Sequence, residues 1–390
     1  MFEDIKTQDN TYTMHTYKKF DVAFDHGKGA TLTGVDGKTY IDFASGIGTS
    51  SLGYADNDWV CAVSEQAGKY AHCSNLYYNP IMSELAEKLC KKTGMSRGFF
   101  GNSGAEANEG AIKIARKYSF DKYGKEADRN IIISLKNSFH GRTVTTLAAT
   151  GQDVFHDKFF PFTEGFLFCE PNENALKETI NKNTCAVMIE TIQGEGGVNI
   201  LDNDFVYAVR KLCDDNDLLL IADEVQTGIG RTGKLLCSEN FDLKPDIVTL
   251  AKGLGGGLPI GAVLVNEKCK DTLSYSDHGS TFGGNPVSCA GANVVLDKVS
   301  NSDFLTNVIK KGEYLKEALA KIPQITNIRG IGLMIGADLK TKEAKDVAAA
   351  CVSQGLLVLT AKNSLRFLPP LVITENEIDK GIEILTEVLK

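Results

Sequence analysis

The chain has little of what marks membrane, secreted or nucleic-acid-binding proteins. No apolar run approaches the ~20 residues that an α-helix needs to cross a bilayer, and the segment 1–6 is too polar and acidic for a secretory signal. Basic residues are outnumbered, with 42 Lys and Arg against 50 Asp and Glu, and the net charge of -8 disfavours a nucleic-acid surface. We therefore expect a cytoplasmic protein that binds neither membranes nor nucleic acids.

The ten cysteines lack the spacing of a disulfide framework or a metal site. None lies in a C-x-x-C pair, and several, such as Cys185, sit within apolar runs. This pattern favours reduced, mostly buried thiols. The six histidines are equally dispersed, so no zinc or iron site is expected.

Short β-branched runs alternate with helical patterns over much of the chain. This alternation predicts an α/β fold with a mostly parallel sheet covered on both faces. Ligands of such sheets bind at the carboxyl ends of the strands, where the candidate motifs fall. The runs that predict buried strands are 130–135, 186–190, 218–223, 247–250 and 261–265.

A chain of 390 residues is too long for one small core and suits two domains. From about residue 290 the pattern changes to long helices and short strands, and the glycine-containing run 330–336 predicts a single strand. This change suits a smaller α+β domain. We predict a large domain over 46–288, a small domain over 289–390, and an N-terminal segment, 1–45, that joins the small domain.

One apolar run ends in two acids, Asp223 and Glu224. Alone, it fits either a strand end that meets solvent or the acidic strand of a nucleoside triphosphatase. The segment 228–234 even matches G-x-x-x-x-G-K, but Leu235 replaces the Ser or Thr whose hydroxyl holds magnesium. The same glycines fit a dinucleotide fingerprint, yet no convincing helix follows before Pro245. Nucleotide binding is therefore the weaker alternative.

A second apolar run leads to Lys252 and then to a glycine-rich turn. A lysine at a strand end usually faces solvent. A lysine that binds an aldehyde cofactor covalently needs a place at the active edge of the sheet and an acid that pairs with the cofactor's ring nitrogen. Asp223, 29 residues upstream, is such an acid. The spacing makes the pair plausible without proving it.

The segments 223–228, 230–233 and 251–253 together resemble the signature of the class III (ornithine-type) aminotransferases, and the resemblance extends over nearly the whole chain. It implies fold type I architecture, with a seven-stranded type of sheet in the large domain. It also implies pyridoxal 5'-phosphate as cofactor and a homodimer with active sites at the subunit interface. Lys252 and Asp223 would then be the catalytic residues.

The resemblance also implies which residues hold the cofactor's phosphate. Ser103, Gly104 and Ala105 lie where a helix is predicted to begin, and helix capping is the structural alternative to phosphate binding. Both can hold together. The loop that carries Thr281 would reach across the dimer, so that the partner subunit's Thr281 donates its hydroxyl to the phosphate.

Other residues would face the cofactor ring and the substrate. Phe139 is implied to lie against the ring, although core packing is the commoner fate of Phe. Gln226 would hydrogen-bond the cofactor's phenolic oxygen. Arg142 would bind the far carboxylate of an ω-amino substrate, with a surface position as its alternative. Ser280 would lie near the substrate.

Glu195 and Arg366 are implied to form a switch, with an ordinary interdomain salt bridge as the alternative. When Glu195 covers Arg366, the pocket accepts an ω-amine with an uncharged side. When Glu195 swings away, Arg366 binds 2-oxoglutarate. The expected reaction is ping-pong transfer of the ω-amino group of N2-acetylornithine to 2-oxoglutarate, as in arginine biosynthesis. It gives N-acetylglutamate 5-semialdehyde and glutamate. Ornithine, succinylornithine and 4-aminobutyrate are alternative donors.

The segment 48–80 departs from the family pattern. Tyr54 stands where His is usual, the segment 55–58 lacks the usual His-Pro, and the loop 75–80 is about one residue short. Because this part of the chain helps to shape the substrate pocket, the departures bear on the choice of donor and not on the class of reaction.

Overall fold

The computed structural model describes all 390 residues. None of its helices is both long and apolar enough to cross a membrane. The helices are α1 (Phe2–Tyr12), α2 (Ser45–Gly48), α3 (Asn57–Lys69), α4 (Pro80–Thr93), α5 (Gly104–Tyr123), α6 (Val144–Ala149), α7 (Glu173–Thr179), α8 (Asn203–Asp215), α9 (Pro286–Val299), α10 (Ser302–Ala320), α11 (Ala344–Gln354) and α12 (Glu375–Leu389). The strands are β1 (Phe24–Lys28), β2 (Thr31–Gly34), β3 (Thr39–Asp42), β4 (Arg97–Gly101), β5 (Ile131–Leu135), β6 (Phe166–Cys169), β7 (Thr184–Ile189), β8 (Ile192–Gln193), β9 (Asn199–Ile200), β10 (Leu219–Asp223), β11 (Ile247–Leu250), β12 (Gly261–Val265), β13 (Ile325–Ile331), β14 (Met334–Leu339), β15 (Leu356–Leu357), β16 (Leu359–Ala361) and β17 (Ser364–Phe367).

A seven-stranded sheet in the order β4-β12-β11-β10-β7-β5-β6 forms the centre of the molecule. β12 runs in the direction opposite to the other six strands, which are parallel to one another, so the predicted mostly parallel α/β sheet is confirmed. Every residue of β7, β10 and β11 is buried. The sequence of a strand that is covered on both faces is a continuous apolar run, so these strands could be recognised from the sequence.

Helices cover the two faces of this sheet. Met188 and Ile221 point towards α5, where they pack with Ile112. Their neighbours Val187 and Leu220 belong to a second cluster with α8. The alternation follows from the two-residue period of a strand.

The parallel strands bring their carboxyl ends to one edge of the sheet. Asp223 closes β10, Glu190 follows β7 directly, and Lys252 lies two residues after β11. Phe139 and Ser103 lie in the connections that follow β5 and β4. Five parts of the sequence therefore meet at the edge where ligands of such sheets bind.

Two four-stranded sheets and the pair β8-β9 lie outside the large sheet, and the four-stranded sheets contain the strands near the ends of the chain. One is antiparallel, in the order β13-β14-β17-β16, and the other, β1-β2-β3-β15, combines N-terminal and C-terminal strands. In the second sheet β15 pairs in parallel with β3, with Leu356 opposite Ile41. A strand of segment 1–45 therefore pairs with one from the C-terminal part of the chain. The three predicted domains, with boundaries at 45/46 and 288/289, stay predictions.

The prediction of one strand over 330–336 is wrong. The segment contains the turn of a hairpin, because β13 ends at Ile331 and β14 begins at Met334. Gly332 has a φ of +56°, a conformation that suits glycine and lets the chain reverse. The turn is buried beneath α10, so apolar residues continue through it and hide it from a periodicity argument.

The contact between α10 and this turn generates a stability prediction. A Cβ added to Gly312 would lie 2.1 Å from the carbonyl oxygen of Gly332, and backbone cannot yield as a side chain can. We expect Gly312→Ala to lower the free energy of unfolding by about 1–3 kcal/mol, the usual effect of overpacking. Thermal unfolding followed by circular dichroism measures it.

Gly68→Ala in α3 is the matched control. A Cβ at Gly68 meets no atom within 4 Å, so the substitution should be neutral or stabilise the helix by up to ~1 kcal/mol. Equal melting temperatures for Gly312→Ala and the parent chain would contradict the close approach.

Candidate active site

A cavity of about 550 Å³ opens at the carboxyl edge of the large sheet. It is lined by eight of the twelve residues that the sequence predicts for the site: Ser103, Gly104, Ala105, Phe139, Arg142, Asp223, Gln226 and Lys252. The other four, Glu195, Ser280, Thr281 and Arg366, do not line it.

Lys252 enters the cavity from the turn after β11, with a φ of +42° that is uncommon for any residue but glycine. Its ammonium has neither a hydrogen bond nor an ion pair within the chain. Burial lowers the pKa of Lys252, and the charge of Arg366 acts in the same direction, against the opposing effects of Glu195 and Asp223. The lowered pKa increases the fraction of the half-buried Lys252 amine that is neutral and nucleophilic.

Asp223 is a buried carboxylate whose charge has several partners. Its Oδ2 accepts hydrogen bonds from Asn108 Nδ2 at 2.8 Å and from His140 Nδ1 at 2.7 Å, and its Oδ1 accepts one from the amide of Val225 at 3.0 Å. Burial alone would lower the pKa of His140, but the hydrogen bond and the charge of Asp223 outweigh it and raise that pKa. The carboxylate of Asp223 is therefore held by three hydrogen bonds inside the protein.

Sequence reasoning missed His140 and Asn108. His140 lies between two predicted site residues, Phe139 and Arg142, and its position in that motif was the available signal. Asn108 had none, because it reaches Asp223 only through the packing of α5 on the sheet.

The first turn of α5 forms one end of the cavity. Ser103 caps this helix, its Oγ accepting a hydrogen bond from the amide of Glu106 at 3.1 Å. The amides of Gly104 and Ala105 have no partner within the helix, as at any helix N-terminus. A Cβ on Gly104 would lie 2.6 Å from a methyl group of Val225, so glycine permits this close approach. Such a terminus attracts anionic groups.

Phe139 and Arg142 follow β5 along the cavity wall. Phe139 is half-buried, and its amide donates a hydrogen bond to Oε1 of Glu190 at 2.7 Å. Burial raises the pKa of Glu190, which has no cationic partner in direct contact. The guanidinium of Arg142 is exposed, with its Cζ 5.7 Å from the centre of the Phe139 ring.

Glu195 and Arg366 form an ion pair just behind the cavity wall. Arg366 Nη1 lies 2.5 Å from Glu195 Oε1, although the two residues come from β17 and from the β8–β9 turn. Gln226 joins them, donating to Glu195 and accepting from Arg366, each at 3.2 Å. Burial would raise the pKa of Glu195, but Arg366 outweighs it and lowers that pKa. The pair is therefore charged, and one cavity-lining amide separates it from the cavity.

Ser280 and Thr281 lie outside the cavity of the single chain. Ser280 Oγ accepts hydrogen bonds from Asn102 Nδ2 and from the amide of Gly283, each at 3.0 Å. Thr281 is exposed at the surface. In one chain alone, neither residue lines the cavity, although the Ser280 hydroxyl contacts Asn102, which does.

Tyr17 lines the cavity and was not predicted. It belongs to the extended segment before β1, and no local motif connects it to residues more than 200 positions away. The glycine segment 228–233, which could suggest a nucleotide site, lies elsewhere. Its Arg231 is buried and donates hydrogen bonds to the carbonyls of Leu333 and Pro369, at 3.0 and 2.5 Å.

The groups around the cavity fit the cofactor that the sequence suggests. The unpartnered Lys252 amine suits covalent attachment to an aldehyde, and the buried, hydrogen-bonded Asp223 carboxylate suits a protonated ring nitrogen. The helix terminus at Gly104 and Ala105 suits a phosphate.

Comparison with known proteins agrees with this chemistry. The family model described as aminotransferase class-III matches residues 12–389. The acetylornithine aminotransferase of Haemophilus ducreyi is 54% identical, over 99% of this chain and 98% of the relative. The crystal structure of N-acetylornithine aminotransferase from Stenotrophomonas maltophilia is 37% identical, with a TM-score of 0.85 over 98% of each chain.

The ornithine aminotransferase from Toxoplasma gondii superposes with a TM-score of 0.94 at 32% identity, over 100% of this chain and 95% of that one. The similarity therefore spans sequence and fold over essentially the full length. By its family model, its relatives and its cavity, the chain belongs to the class III aminotransferases, a family that uses pyridoxal phosphate.

Proposed function

We propose that the enzyme transfers the ω-amino group of N2-acetylornithine to 2-oxoglutarate, giving N-acetylglutamate 5-semialdehyde and glutamate. The observation that carries the proposal is the half-buried amine of Lys252, which has no hydrogen-bond partner, in one cavity with the buried, hydrogen-bonded carboxylate of Asp223. The identity of 54% to an acetylornithine aminotransferase supports this donor over ornithine or 4-aminobutyrate.

Pyridoxal 5'-phosphate, when bound, supplies the aldehyde that takes up the amino group and the ring that draws electrons from the reacting carbon. Lys252 would hold the cofactor covalently, and its amine, once free, would take up the proton from the amine-bearing carbon of the substrate. Asp223 would keep the ring nitrogen protonated. Gln226 would donate a hydrogen bond to the phenolic oxygen, and Phe139 would lie against the ring.

The phosphate is assigned to Ser103, Gly104 and Ala105, at the N-terminus of α5. Their amides and the helix dipole favour an anion at this place. Thr281 completes this end only in a homodimer, where the partner subunit's Thr281 donates its hydroxyl. Ser280 lies beside it, near the substrate.

Arg142 and Arg366 are assigned to substrate carboxylates. Arg142, at the exposed rim, binds the carboxylate of N2-acetylornithine through its two-pronged donor geometry. Arg366 is neutralised by Glu195 during this half-reaction. In the second, Glu195 moves aside and Arg366 binds 2-oxoglutarate.

Apolar surface near Thr281 supports the homodimer. Five large apolar side chains are exposed by more than half of their surface there and in the neighbouring loop 75–80. Contiguous exposed apolar surface of this kind marks protein interfaces. The residues are Leu76, Tyr77, Tyr78, Tyr275 and Phe282.

We also propose a cytoplasmic location. All ten cysteines are free thiols, and seven are buried. Burial raises the pKa of Cys169 to about 11 and that of Cys213 to about 12, so these thiols stay protonated and unreactive. Such thiols suit a reducing compartment.

The donor half-reaction tests the proposed activity. Mixing the holoenzyme with N2-acetylornithine should remove the cofactor's yellow absorbance faster than ornithine, succinylornithine or 4-aminobutyrate does. Lys252→Ala should lose the absorbance of the lysine-bound cofactor and slow turnover by at least ~10²–10⁴-fold, because the proton-transfer group is gone. Stopped-flow absorbance and steady-state assays measure both.

Lys234→Ala is the matched control, since Lys234 is exposed and belongs to the glycine segment outside the cavity. It should leave spectrum and turnover unchanged. A normal visible spectrum in Lys252→Ala, or a faster reaction with ornithine, would refute the respective assignment.

Glu195→Gln tests the switch. Removing the carboxylate leaves Arg366 charged and uncovered. The apparent KM for glutamate should therefore fall, and the reaction with N2-acetylornithine should slow. The ratio of kcat/KM for glutamate to that for N2-acetylornithine should shift by about tenfold or more. Glu170→Gln, which breaks a surface pair with Lys136, is the control and should change neither value. An unchanged ratio in Glu195→Gln would show that the pair is only structural.

Mixing inactive variants tests the shared sites. In a hybrid of Lys252→Ala and Thr281→Ala chains, one site carries both defects and the other carries none. Random reassociation should therefore restore up to about one quarter of the parent activity, since half of the dimers are hybrids with one intact site. Subunits are exchanged in mild denaturant and assayed. Each variant treated alone is the control, and no gain on mixing would argue against a site shared between subunits.

A further inference from the structure

Arg142 is held at the rim of the cavity by aromatic rings. Its guanidinium carbon lies 4.7 Å from the centre of the Phe155 ring and 5.7 Å from that of Phe139. The two rings pack edge to face, 5.7 Å apart at 63°. A cation over an aromatic face is attracted by the ring's quadrupole. The side chain has no carboxylate partner, so its charge is not neutralised.

Phe155 owes its place to local structure outside the cavity. It ends a short 3-10 turn that begins at Asp153. The residues before this turn are bonded to the segment that precedes Phe139: the amide of Gly151 donates to Ser138 Oγ, and Gln152 Nε2 donates to the Ser138 carbonyl, each at 3.0 Å. Phe155 itself is half-buried and does not line the cavity.

Arg142 and Arg366 have different neighbours, and the difference affects how each can bind a carboxylate. An acid beside Arg142 would order the side chain but would compete with any incoming carboxylate. A ring orders it and leaves all of its donors and its charge available. Arg366, by contrast, is covered by Glu195.

We propose that Phe155 is a positioning residue that sets the specificity of the enzyme for donors with a carboxylate, because its ring holds the Arg142 guanidinium ready at the rim. The proposal rests on the proposed function, in which Arg142 binds that carboxylate. Phe155 touches neither cofactor nor substrate and acts only through Arg142.

The test compares two donors that differ only in this group. One is N2-acetylornithine, and the other is N-acetyl-1,4-diaminobutane, the same molecule without its carboxylate. In the holoenzyme, Phe155→Leu should raise the KM for N2-acetylornithine about two- to fivefold and leave kcat unchanged. This factor corresponds to the free energy of one exposed cation–π contact. The KM for the analogue should not change, which also shows that the variant is folded.

Two further variants separate positioning from packing. Phe155→Tyr keeps the ring and should restore the parent KM. Phe162→Leu removes another half-buried ring of the same loop, one that packs on His156 and Phe160 and not on Arg142, and it should have no effect. Equal losses for both donors, no loss in Phe155→Leu, or the same donor-selective loss in Phe162→Leu would each overturn the proposal.

Arg142→Leu distinguishes the failure of this inference from that of the proposed function. It should abolish the preference for N2-acetylornithine over the analogue, and adding Phe155→Leu to it should change nothing further. If the parent enzyme shows no such preference, the role of Arg142 fails and this inference falls with it. If the preference depends on Arg142 and survives in Phe155→Leu, this inference alone fails.

Discussion

The buried carboxylate of Asp223 accepts three hydrogen bonds, and the donors come from different parts of the structure. Asn108 reaches it from α5, and His140 reaches it from the connection after β5. The amide of Val225 comes from the turn that follows Asp223 itself. Beside this well-partnered acid lies Lys252, an amine with no partner. A stabilised acid and an available base in one cavity are what amino-group transfer through an aldehyde cofactor requires.

The two arginines assigned to substrate carboxylates have different surroundings. Arg366 comes from the small antiparallel sheet, is buried, and is paired with Glu195. Arg142 follows β5 of the large sheet, is exposed, and lies against aromatic rings. In the proposed reaction the pocket binds a donor with one carboxylate and an acceptor with two. This alternation needs one arginine that an acid can neutralise and one that is always free. Gln226 links the covered pair to the cavity, so the small sheet contributes directly to the site.

Much of the large sheet could be predicted because its central strands are buried on both faces and read as apolar runs. Elements without that signal were missed. In α3 the apolar stripe is short, because Trp59, Ala62 and Val63 span little more than one turn. The one buried residue of the helix, Gln66, is polar. The hairpin turn at Gly332 was predicted as part of a strand for the opposite reason. It is packed under α10 and has apolar residues on both sides.

By itself, the sequence determined the class of chemistry: an acid closing one strand, Lys252 after another, and the motifs of a class III aminotransferase between them. Those signals are local, and strand ends of a parallel sheet meet at one edge whatever the details of packing. Only the tertiary structure decided that His140 and Asn108 hold Asp223, that Tyr17 joins the cavity, and that Phe155 lies against Arg142. Such contacts depend on how helices and loops pack over the sheet, which the spacing of residues along the chain does not encode.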